Sequence, residues 1–514
     1  MLSLLDTPGR ARRASGAALL VLFAAWPACG GTGTMASTSS GSSTGEASSS
    51  GATSSSGVGG ATSSSSGSGG ATSSSGVGGA AASSGVGGAA SSSGVGGAAS
   101  SSSGSGGAGG VSVPGGSLQW VTPFPQSSQA ILGFNLSSLS TDAAGAIKLT
   151  GFFSTGPMTL GSATLTTPGS WFAGFDAAAS PLWLTAPPPP LGVATASVNA
   201  SGRLIGAGAD GSVPPSMGHH GAVTAVSPGG SVLWTKVFGT GTANVQLADV
   251  ADDDAGNVYI LDLVNSGVAD FGAGPQTPGV RYLEKYDPAG NFLWQHQVGT
   301  ARMHVDGAGG ILLQSLLSGG EDLGCGVPDA IIAKLDSSGA CVWAKHLPVN
   351  GIAALGRHGE VLVGTTFTGA LDMGCGPSTS NGTSLALTRY AAASGACLWT
   401  SVLGDPGLHV LSGPSSVPTG NGEWLVSMVF TGTIDFGARP VTAAYARGHA
   451  LSFKLDSAGA LRWSVHFPHF GPPVLSGDPG GGMLVAFTRY LDYDVGMIPG
   501  PMLSNDLYLA RFAP

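Results

Sequence analysis

The sequence predicts an all-β fold, a seven-bladed β-propeller that is closed by its N-terminal strand and preceded by a disordered Ser/Gly/Ala linker. Three observations support this prediction. A short motif ending in Trp recurs seven times, its spacing suits units of four short strands, and the last unit lacks an outer strand of its own.

Composition excludes one broad class of function. The 514 residues include 88 Gly, and only 9% of the side chains are charged, against a usual value of about 25%. The formal net charge is −9. Because a nucleic-acid binder needs a basic stripe to meet phosphates, we expect no nucleic-acid partner.

The N-terminus has the pattern of an export signal. Arg10, Arg12 and Arg13 precede an apolar run from Gly16 to Trp26. Eleven residues are too few to span a bilayer, which takes about 20, but they suit the apolar core of a secretory signal peptide. Residues 1–28 are therefore predicted to be a signal peptide.

The residues that follow predict a lipid anchor. Ala28-Cys29-Gly30 resembles the cleavage box of bacterial lipoproteins, in which the Cys carries the lipid and becomes the first mature residue. Trp26 departs from that box, which usually has Leu there. We expect Cys29 to be lipidated and the protein to be exported to the outer membrane or cell surface, touching the membrane through this lipid only. An ordinary signal peptide with an incidental Cys is the alternative.

Residues 29–116 are predicted to be a flexible linker. They are almost entirely Ser, Gly, Ala, Thr and Val, and Glu46 is their only charged residue. Such a stretch buries too little apolar surface to offset the entropy of ordering. A flexible coil of this length has an r.m.s. span of roughly 50 Å. A glycine-rich solenoid would need core residues that are missing here.

Residues 117–514 are predicted to be the propeller. The repeated residue is a Trp preceded by a short polar turn and an apolar residue, and the copies lie 49 to 64 residues apart. They are Trp120, Trp183, Trp234, Trp294, Trp343, Trp399 and Trp463. Such a period suits four short strands per unit and is too long for most helical solenoids.

The third unit shows the internal order best. A strand at 258–262, interpreted as an inner strand, precedes Asp270-Phe271-Gly272 and a second strand at 282–286. The turn 287–290 (Asp-Pro-Ala-Gly) then leads to an outer strand at 291–294, since Asp, Pro and Gly each favour a hairpin turn. Equivalent Asp-x-Gly triplets begin at Asp322, Asp372, Asp435 and Asp494, and equivalent hairpin turns begin at Asp176, Asp336 and Asp456.

The two ends predict how the ring closes. The strand at 507–512 is followed by no outer strand, and 117–120 carries the outer-strand motif at the other end. Pairing the two removes both free sheet edges. Six whole units and one split unit make seven blades; an open six-bladed ring and an eight-bladed ring are the alternatives.

These residues resemble bacterial β-propeller repeat proteins, mostly uncharacterised, whose unit reads roughly hydrophobic-Asp-x-x-Gly-x-x-x-Trp after an Asp-Phe-Gly step. The resemblance covers about 117–514 and implies the fold, but it implies no activity. The Trp pattern also resembles the outer-strand motif of quinone-dependent alcohol dehydrogenases and of the propeller lipoprotein that assists outer-membrane assembly, both of which usually have eight blades.

Four cysteines predict two disulfides. Cys325 and Cys375 each follow an Asp-x-Gly triplet, and Cys341 and Cys397 each lie two residues before a Trp. Because each unit that gains one Cys gains the other, we expect Cys325–Cys341 and Cys375–Cys397 among the three pairings that four cysteines allow. A zinc site is the alternative, although the chain has no Cys-x-x-Cys pair.

Metal and cofactor sites receive weaker support. The run Asp252-Asp253-Asp254 resembles a calcium loop, but Asp-x-x-Gly recurs at Asp142, Asp306 and Asp478, so we interpret it as a repeat turn. Weak Ca²⁺ binding stays open. No metal site is predicted at the six histidines that could supply ligands: His219, His220, His296, His346, His466 and His469. No cofactor is predicted.

The sequence predicts no catalytic residues. The strands interpreted as lining the central channel carry Lys148, Asp262 and Gln314 among small or apolar residues, without a convergent acid–base or nucleophile–base pair. We therefore expect a non-catalytic, monomeric binding or scaffold module with a protein or polysaccharide partner in the envelope. An outer-membrane assembly factor, and an enzyme acting on sugars or quinone-linked alcohols, are the alternatives.

Overall fold

A computed structural model describes the part of the chain that forms the propeller, which lies within one compact unit, Ser100–Pro514. The described residues are 116–124, 135–154, 156–188, 191–210, 219–299, 302–314, 323–327, 330–348, 351–404, 408–419, 422–436, 440–443, 449–468, 474–488 and 507–514. The predicted signal peptide, Cys29 and almost all of the predicted linker lie outside them. In these segments no helix is long and apolar enough to cross a membrane.

All of the regular elements in the described segments are β-strands, and every pairing between them is antiparallel. The first is β1 (Leu118–Phe124). Blade 1 contains β2 (Asn135–Thr141), β3 (Ile147–Phe153), the small hairpin β4 (Met158–Leu160) and β5 (Ala163–Leu165), β6 (Gly169–Phe175) and β7 (Pro181–Thr185). Blade 2 contains β8 (Leu191–Val198), β9 (Leu204–Asp210), β10 (Gly221–Val226) and β11 (Val232–Phe238).

The middle blades follow the same order. Blade 3 contains β12 (Thr240–Asp252), β13 (Val258–Val268), β14 (Arg281–Tyr286) and β15 (Phe292–Val298). Blade 4 contains β16 (Arg302–Val305), β17 (Ile311–Gln314), β18 (Ile332–Leu335) and β19 (Cys341–Lys345). Blade 5 contains β20 (Ile352–Leu355), β21 (Val361–Asp372), β22 (Pro377–Tyr390) and β23 (Cys397–Leu403).

The last two blades complete the ring. Blade 6 contains β24 (His409–Pro418), β25 (Trp424–Asp435), β26 (Pro440–Ala443), β27 (His449–Leu455) and β28 (Leu461–Pro468). Blade 7 contains β29 (Val474–Gly477), β30 (Met483–Thr488) and β31 (Leu507–Phe512), and its fourth strand is β1. The seven-bladed fold and its closure by the N-terminal strand are thus confirmed.

The first strand of each blade lies innermost. These seven strands contact one another in sequence, from β2 through β8, β12, β16, β20 and β24 to β29, which contacts β2 again. The strand at 258–262 belongs to β13, the second strand of blade 3, so its interpretation as an inner strand was wrong. The actual first strand, β12, follows β11 after Gly239 alone, and no turn motif separates the two.

This correction moves three residues away from the channel. Lys148, Asp262 and Gln314 lie on second strands, where they are almost completely buried. Gln314, for example, accepts a hydrogen bond from the backbone N–H of Ala353, in the first strand of the next blade, at 3.1 Å. The prediction that these residues line the channel was therefore wrong.

Aspartate-capped turns join the third and fourth strands, as the sequence predicts. The Oδ1 atoms of Asp176, Asp287, Asp336 and Asp456 each accept two backbone N–H groups at 2.7 to 3.0 Å. Hydrogen bonds from the side chain and backbone of Asn291 also lower the pKa of Asp287. A carboxylate that satisfies two turn N–H groups explains why Asp recurs at this position.

The repeated Trp residues tie each blade to the next. The indole Nε1 atoms of Trp183, Trp234, Trp343 and Trp399 donate to backbone carbonyls in the next blade's hairpin turn, at 2.8, 3.1, 2.9 and 3.0 Å. Each indole also lies against the Gly of that turn: at Gly395, whose φ is +63°, a Cβ would come within 2.7 Å of Trp343. The Trp and the turn Gly of the repeat are therefore two halves of one contact between blades.

Two disulfides have the predicted pairing. Cys325 is bonded to Cys341 and Cys375 to Cys397, with Cα–Cα distances of 5.5 and 5.4 Å. Each bond joins the start of a blade's outer strand to the connection between its second and third strands. The outer strand is the one with a free edge, so these bonds hold the rims of blades 4 and 5.

We expect the removal of either disulfide to destabilise the propeller. Cys325 and Cys341 are 16 residues apart, and closing a loop of that length contributes about 3 kcal/mol in the chain-entropy description. A Cys325→Ser/Cys341→Ser variant should therefore unfold at a lower urea concentration than the wild type. Reductant should destabilise the wild type and leave a variant with all four cysteines replaced by Ser unchanged; an equal response of both proteins would contradict the prediction.

Candidate functional site

The turns that join the first and second strands of the seven blades surround one cavity of about 400 Å³. We call this cavity and its rim the funnel. Its lining comes from residues within the segments 140–143, 198–200, 252–254, 305–307, 355–360, 417–419, 422–424 and 476–479. Because every blade contributes, the funnel lies on the propeller axis at the face formed by these turns.

Acidic side chains outnumber cationic ones in the lining of the funnel. They are Asp142, Asp252, Asp254, Asp306, Glu360, Glu423 and Asp478, whereas Arg357 is the one Arg or Lys among the described lining residues. The Asp-x-x-Gly motif supplies several of them. Asp142 and Asp306 each accept two N–H groups of their own turn through Oδ1, at 2.7 to 3.0 Å. The motif thus acts as a repeat turn, as it was interpreted.

Cations from the third strands neutralise part of this charge. Lys334 Nζ lies 2.7 Å from Asp306 Oδ2, and Lys454 Nζ lies 2.6 Å from Glu423 Oε2. Arg511 Nε donates to Asp478 Oδ2 at 2.9 Å. These three cations occupy equivalent positions near the ends of β18, β27 and β31. These cations were not predicted from the sequence, although a Lys or Arg recurs two residues before the hairpin turn.

Asp252 is the most perturbed acid of the funnel. Its carboxylate is buried, accepts a hydrogen bond from Ser197 Oγ at 2.8 Å, and lies 3.4 Å from Arg203 Nη2. Burial raises its pKa to about 7, and the Arg203 charge opposes part of that rise. These contacts cross from blade 3 to blade 2 and hold the two turns together.

Three exposed side chains form one side of the rim: Asp254, Arg357 and His358. Arg357 Nη2 lies 2.7 Å from Asp254 Oδ2, although the two residues come from blades 5 and 3. The pair spans Gly307 of blade 4, whose backbone accepts from Asp254 N at 3.1 Å and donates to Arg357 O at 3.0 Å. A Cβ at Gly307 would lie 2.4 Å from Asp254 Oδ2, so the crossing requires Gly there.

An acid and an imidazole interact on the channel wall. Asp249 lies on β12 and His304 on β16; burial raises the pKa of Asp249 and lowers that of His304. Asp249 accepts hydrogen bonds from Thr195 Oγ1 at 3.0 Å and from Met303 N at 3.2 Å. Its carboxylate therefore ties together the inner strands of blades 2, 3 and 4. Sequence reasoning missed this pair because it did not recognise the inner strands.

The candidate histidines do not gather at one place. His296 is exposed beside Trp294, and His220 Nε2 lies 3.2 Å from Gly241 O. His466 stacks on His449, which the sequence analysis missed, with ring centroids 4.5 Å apart; burial, and then the charge of His449, lower the pKa of His466 to about 4. His469 lies outside the described residues. Within the described segments no three His, Cys, Asp or Glu side chains form a group that could hold a metal ion.

Comparisons with known proteins identify similar solved structures. No protein-family model matches the chain, and no curated protein matches it. Among solved structures, a Dyadobacter fermentans protein of unknown function is 11% identical, with 78% of this chain and 100% of that chain covered and a TM-score of 0.36. Virginiamycin B lyase from Staphylococcus aureus is 8% identical, with coverages of 76% and 98% and a TM-score of 0.37.

A third similar structure is the β-propeller domain of the trilobed protease from Pyrococcus furiosus. It is 8% identical, with 66% of this chain and 94% of that chain covered and a TM-score of 0.38. These similarities assign neither a ligand nor a reaction to this chain. The architecture of this chain is established by its own strands, which form a closed propeller of six four-stranded blades and one blade, blade 6, in which β26 adds a fifth strand.

Proposed function

We propose that the protein is an exported, lipid-anchored binding module whose partner docks at the funnel. The observation that carries this proposal is one cavity to which all seven blades contribute, with Asp254, Arg357 and His358 exposed at its rim. A volume of about 400 Å³ falls in the range of ligand pockets, roughly 300 to 1,000 Å³. A rigid ring that presents many turns at one face suits binding.

The lining favours a polar partner. Carboxylates, the Asn199 amide and hydroxyl groups such as Ser140 and Thr141 surround the cavity. Such groups form hydrogen bonds with hydroxyl-rich or amide-rich segments. An envelope polysaccharide, or a polar segment of an envelope protein, has this chemistry. An outer-membrane assembly factor is the form of this proposal in which the partner is an outer-membrane protein.

Binding is favoured over catalysis by how the acids are used. Asp306, Glu423 and Asp478 are paired with cations, and Asp249 accepts hydrogen bonds from two neighbouring strands. A general base needs a carboxylate or imidazole that can reach a substrate proton. An enzyme acting on sugars or quinone-linked alcohols therefore remains an alternative without a specific contact in its favour.

The proposed location rests on the sequence and on the disulfides. Disulfides persist in oxidising compartments outside the cytoplasm, and the chain has two. The signal peptide pattern supports export, and Cys29 supports lipidation. The linker, with its r.m.s. span of roughly 50 Å, would hold the propeller away from the membrane.

A photo-cross-linking residue placed at His358 tests the docking face. His358 is exposed at the rim, and the control position Leu293 is 49% exposed on the outer strand of blade 3. In intact cells, we expect one specific adduct from position 358 and none from position 293, with the partner identified by mass spectrometry. Equal adducts from both positions, or adducts from 293 alone, would contradict the proposal that the partner docks at the funnel.

The anchor is tested in the same cells by Cys29→Ala. We expect the variant to move from the membrane fraction to the soluble fraction, because a thioether-linked lipid requires the Cys sulfur. Unchanged partitioning would rule out lipidation at Cys29, and it would leave the cross-linking result at the funnel unaffected.

A further inference from the structure

Blade 3 contains a buried cluster that the proposed function does not use. Asp262 on β13 and Glu284 on β14 both have 0% exposed surface. In the strand register Asp262 faces Tyr282 and Ile260 faces Glu284, so the two acids lie diagonally on the same face of the blade. Ile260 on that face packs with Ala207 and Val223 of blade 2, which places the acids between blades 2 and 3.

Two amides complete the cluster. Gln276, 5% exposed in the connection between β13 and β14, donates through Nε2 to Glu284 Oε1. Gln295 on β15 lies directly opposite Glu284 in the register. Among the described residues, each of the four side chains retains one buried oxygen without a hydrogen-bond partner: Asp262 Oδ2, Glu284 Oε2, Gln276 Oε1 and Gln295 Oε1. We call these four residues the blade 3 oxygen cluster.

The other blades show that the repeat does not require acids here. Glu284 and Gln295 correspond to Thr224 and Thr235 in blade 2, whose hydroxyls are 3.1 Å apart, and to a similar pair in blade 5 at 3.0 Å. Those neutral pairs are satisfied by each other and, in blade 2, by the backbone carbonyl of Pro188. Blade 3 instead buries two carboxyl groups and leaves four oxygens unpaired, which is costly unless a further group compensates them.

No described ion pair compensates the two acids. Arg281 is the neighbouring cation, but it forms no ion pair with either acid among the described contacts, and its Nη1 is itself buried without a partner. Burial raises the pKa of Asp262 to about 8, and burial together with the Asp262 charge raises the pKa of Glu284 well above its usual value. The cluster therefore favours the arrival of positive charge, in the form of protons or of a metal ion.

We propose that the blade 3 oxygen cluster binds a hard divalent cation of the Ca²⁺ class, held by two carboxylate and two amide oxygens. Ca²⁺ takes six to eight oxygen ligands of these types, and bound water supplies those that the protein does not. The cluster contains two carboxylates, so it differs from the groups of three His, Cys, Asp or Glu side chains that the described residues lack. The Asp252–Asp254 run is a weaker candidate, because Arg203 and Arg357 already lie beside its carboxylates.

Calcium titration of the intact, chelator-treated protein tests this site. We expect Ca²⁺ at 100-fold excess over its Kd to raise the melting temperature by a few degrees. In Glu284→Gln and Asp262→Asn, calorimetry should show Ca²⁺ binding weakened by at least about 10-fold, since even outer-sphere changes cost 10- to 100-fold. Asp254→Asn, a substitution in the funnel, is the matched control and should bind Ca²⁺ like the wild type.

Terbium luminescence gives a second readout that does not depend on stability. Tyr286 lies two residues after Glu284 on the same face of β14, about 7 Å along the strand, so its ring is close enough to sensitise Tb³⁺ bound at the cluster. Emission excited through Tyr should fall in Glu284→Gln, which weakens binding, and in Tyr286→Phe, where Tyr282 on the same face is left as the sensitiser. Absence of any Ca²⁺ or Tb³⁺ binding to the wild type would overturn the proposal and leave the acids as a protonated pair. Loss of binding in Asp254→Asn alone would place the ion in the funnel instead.

Discussion

Deletion of residues 117–124, which removes β1, should lower the melting temperature of the propeller by at least about 10 °C. The segment supplies the fourth strand of blade 7, where β1 pairs with β31 from Leu118–Phe512 to Phe124–Leu507. It also reaches blade 1: the Phe124 ring is buried with its centroid 5.1 Å from that of Phe175. Losing it therefore breaks one sheet and one blade-to-blade contact together.

The size of the effect follows from what would be exposed. Burial of one Phe side chain contributes about 1.5–3 kcal/mol, and the backbone groups of β31 would lose their partners along a newly free edge. The terminal contact between Ala513 N and Ser117 O, at 2.9 Å, would also disappear. Together these losses exceed those of any single substitution that we consider.

Thermal unfolding followed by circular dichroism measures this effect. The matched control is a deletion of eight residues inside the linker, for example 100–107, which we expect to leave the melting temperature unchanged. An unchanged melting temperature after removal of β1 would show that the ring is not held closed by this strand.

Much of the fold was predictable because the repeated residues reflect local interactions within each unit. Asp and Gly of a hairpin turn and a Trp on the following strand are set by the turn itself, so they recur wherever the turn does. Closure followed from the outer-strand motif at Trp120 and the missing strand after Phe512. The disulfide pairing followed from two cysteines that occur together in each of two units.

Much of what the sequence did not predict lies in contacts that do not repeat from blade to blade. The inner strands were missed because β12 follows β11 after Gly239 alone, and Asp249 and His304 were missed with them. The pairing of Arg357 with Asp254 joins residues that are 103 positions apart. Glu284 and Gln295 could be aligned with the threonine pairs of other blades only once the strand register was known. None of these contacts repeats around the ring, so periodicity carries no signal for them.

Trp399→Ala should destabilise the propeller by about 2–4 kcal/mol, since it removes a large, half-buried ring. The indole packs on Gly459 of blade 6, where a Cβ would lie 3.0 Å from the ring and φ is +83°. Its Nε1 donates to Ser457 O at 3.0 Å. Chemical denaturation measures the loss, and Leu398→Ala is the control: Leu398 is the preceding residue, 53% exposed, and should cost less than about 0.5 kcal/mol.

Substitution of Trp by Phe can separate the contribution of the aromatic ring to stability from that of the indole hydrogen bond. The Trp that contacts blade 7 provides the comparison. Trp463 packs on Gly116 as Trp399 packs on Gly459, but in blade 7 no hairpin turn joins the third strand, β31, to the fourth, β1, and Trp463 Nε1 has no hydrogen-bond partner among the described residues. Trp399→Phe should therefore lose about 1 kcal/mol more for its hydrogen bond than Trp463→Phe does. If both substitutions cost the same, the indole N–H is not part of the contact, and the repeat would keep Trp for the area of its ring alone.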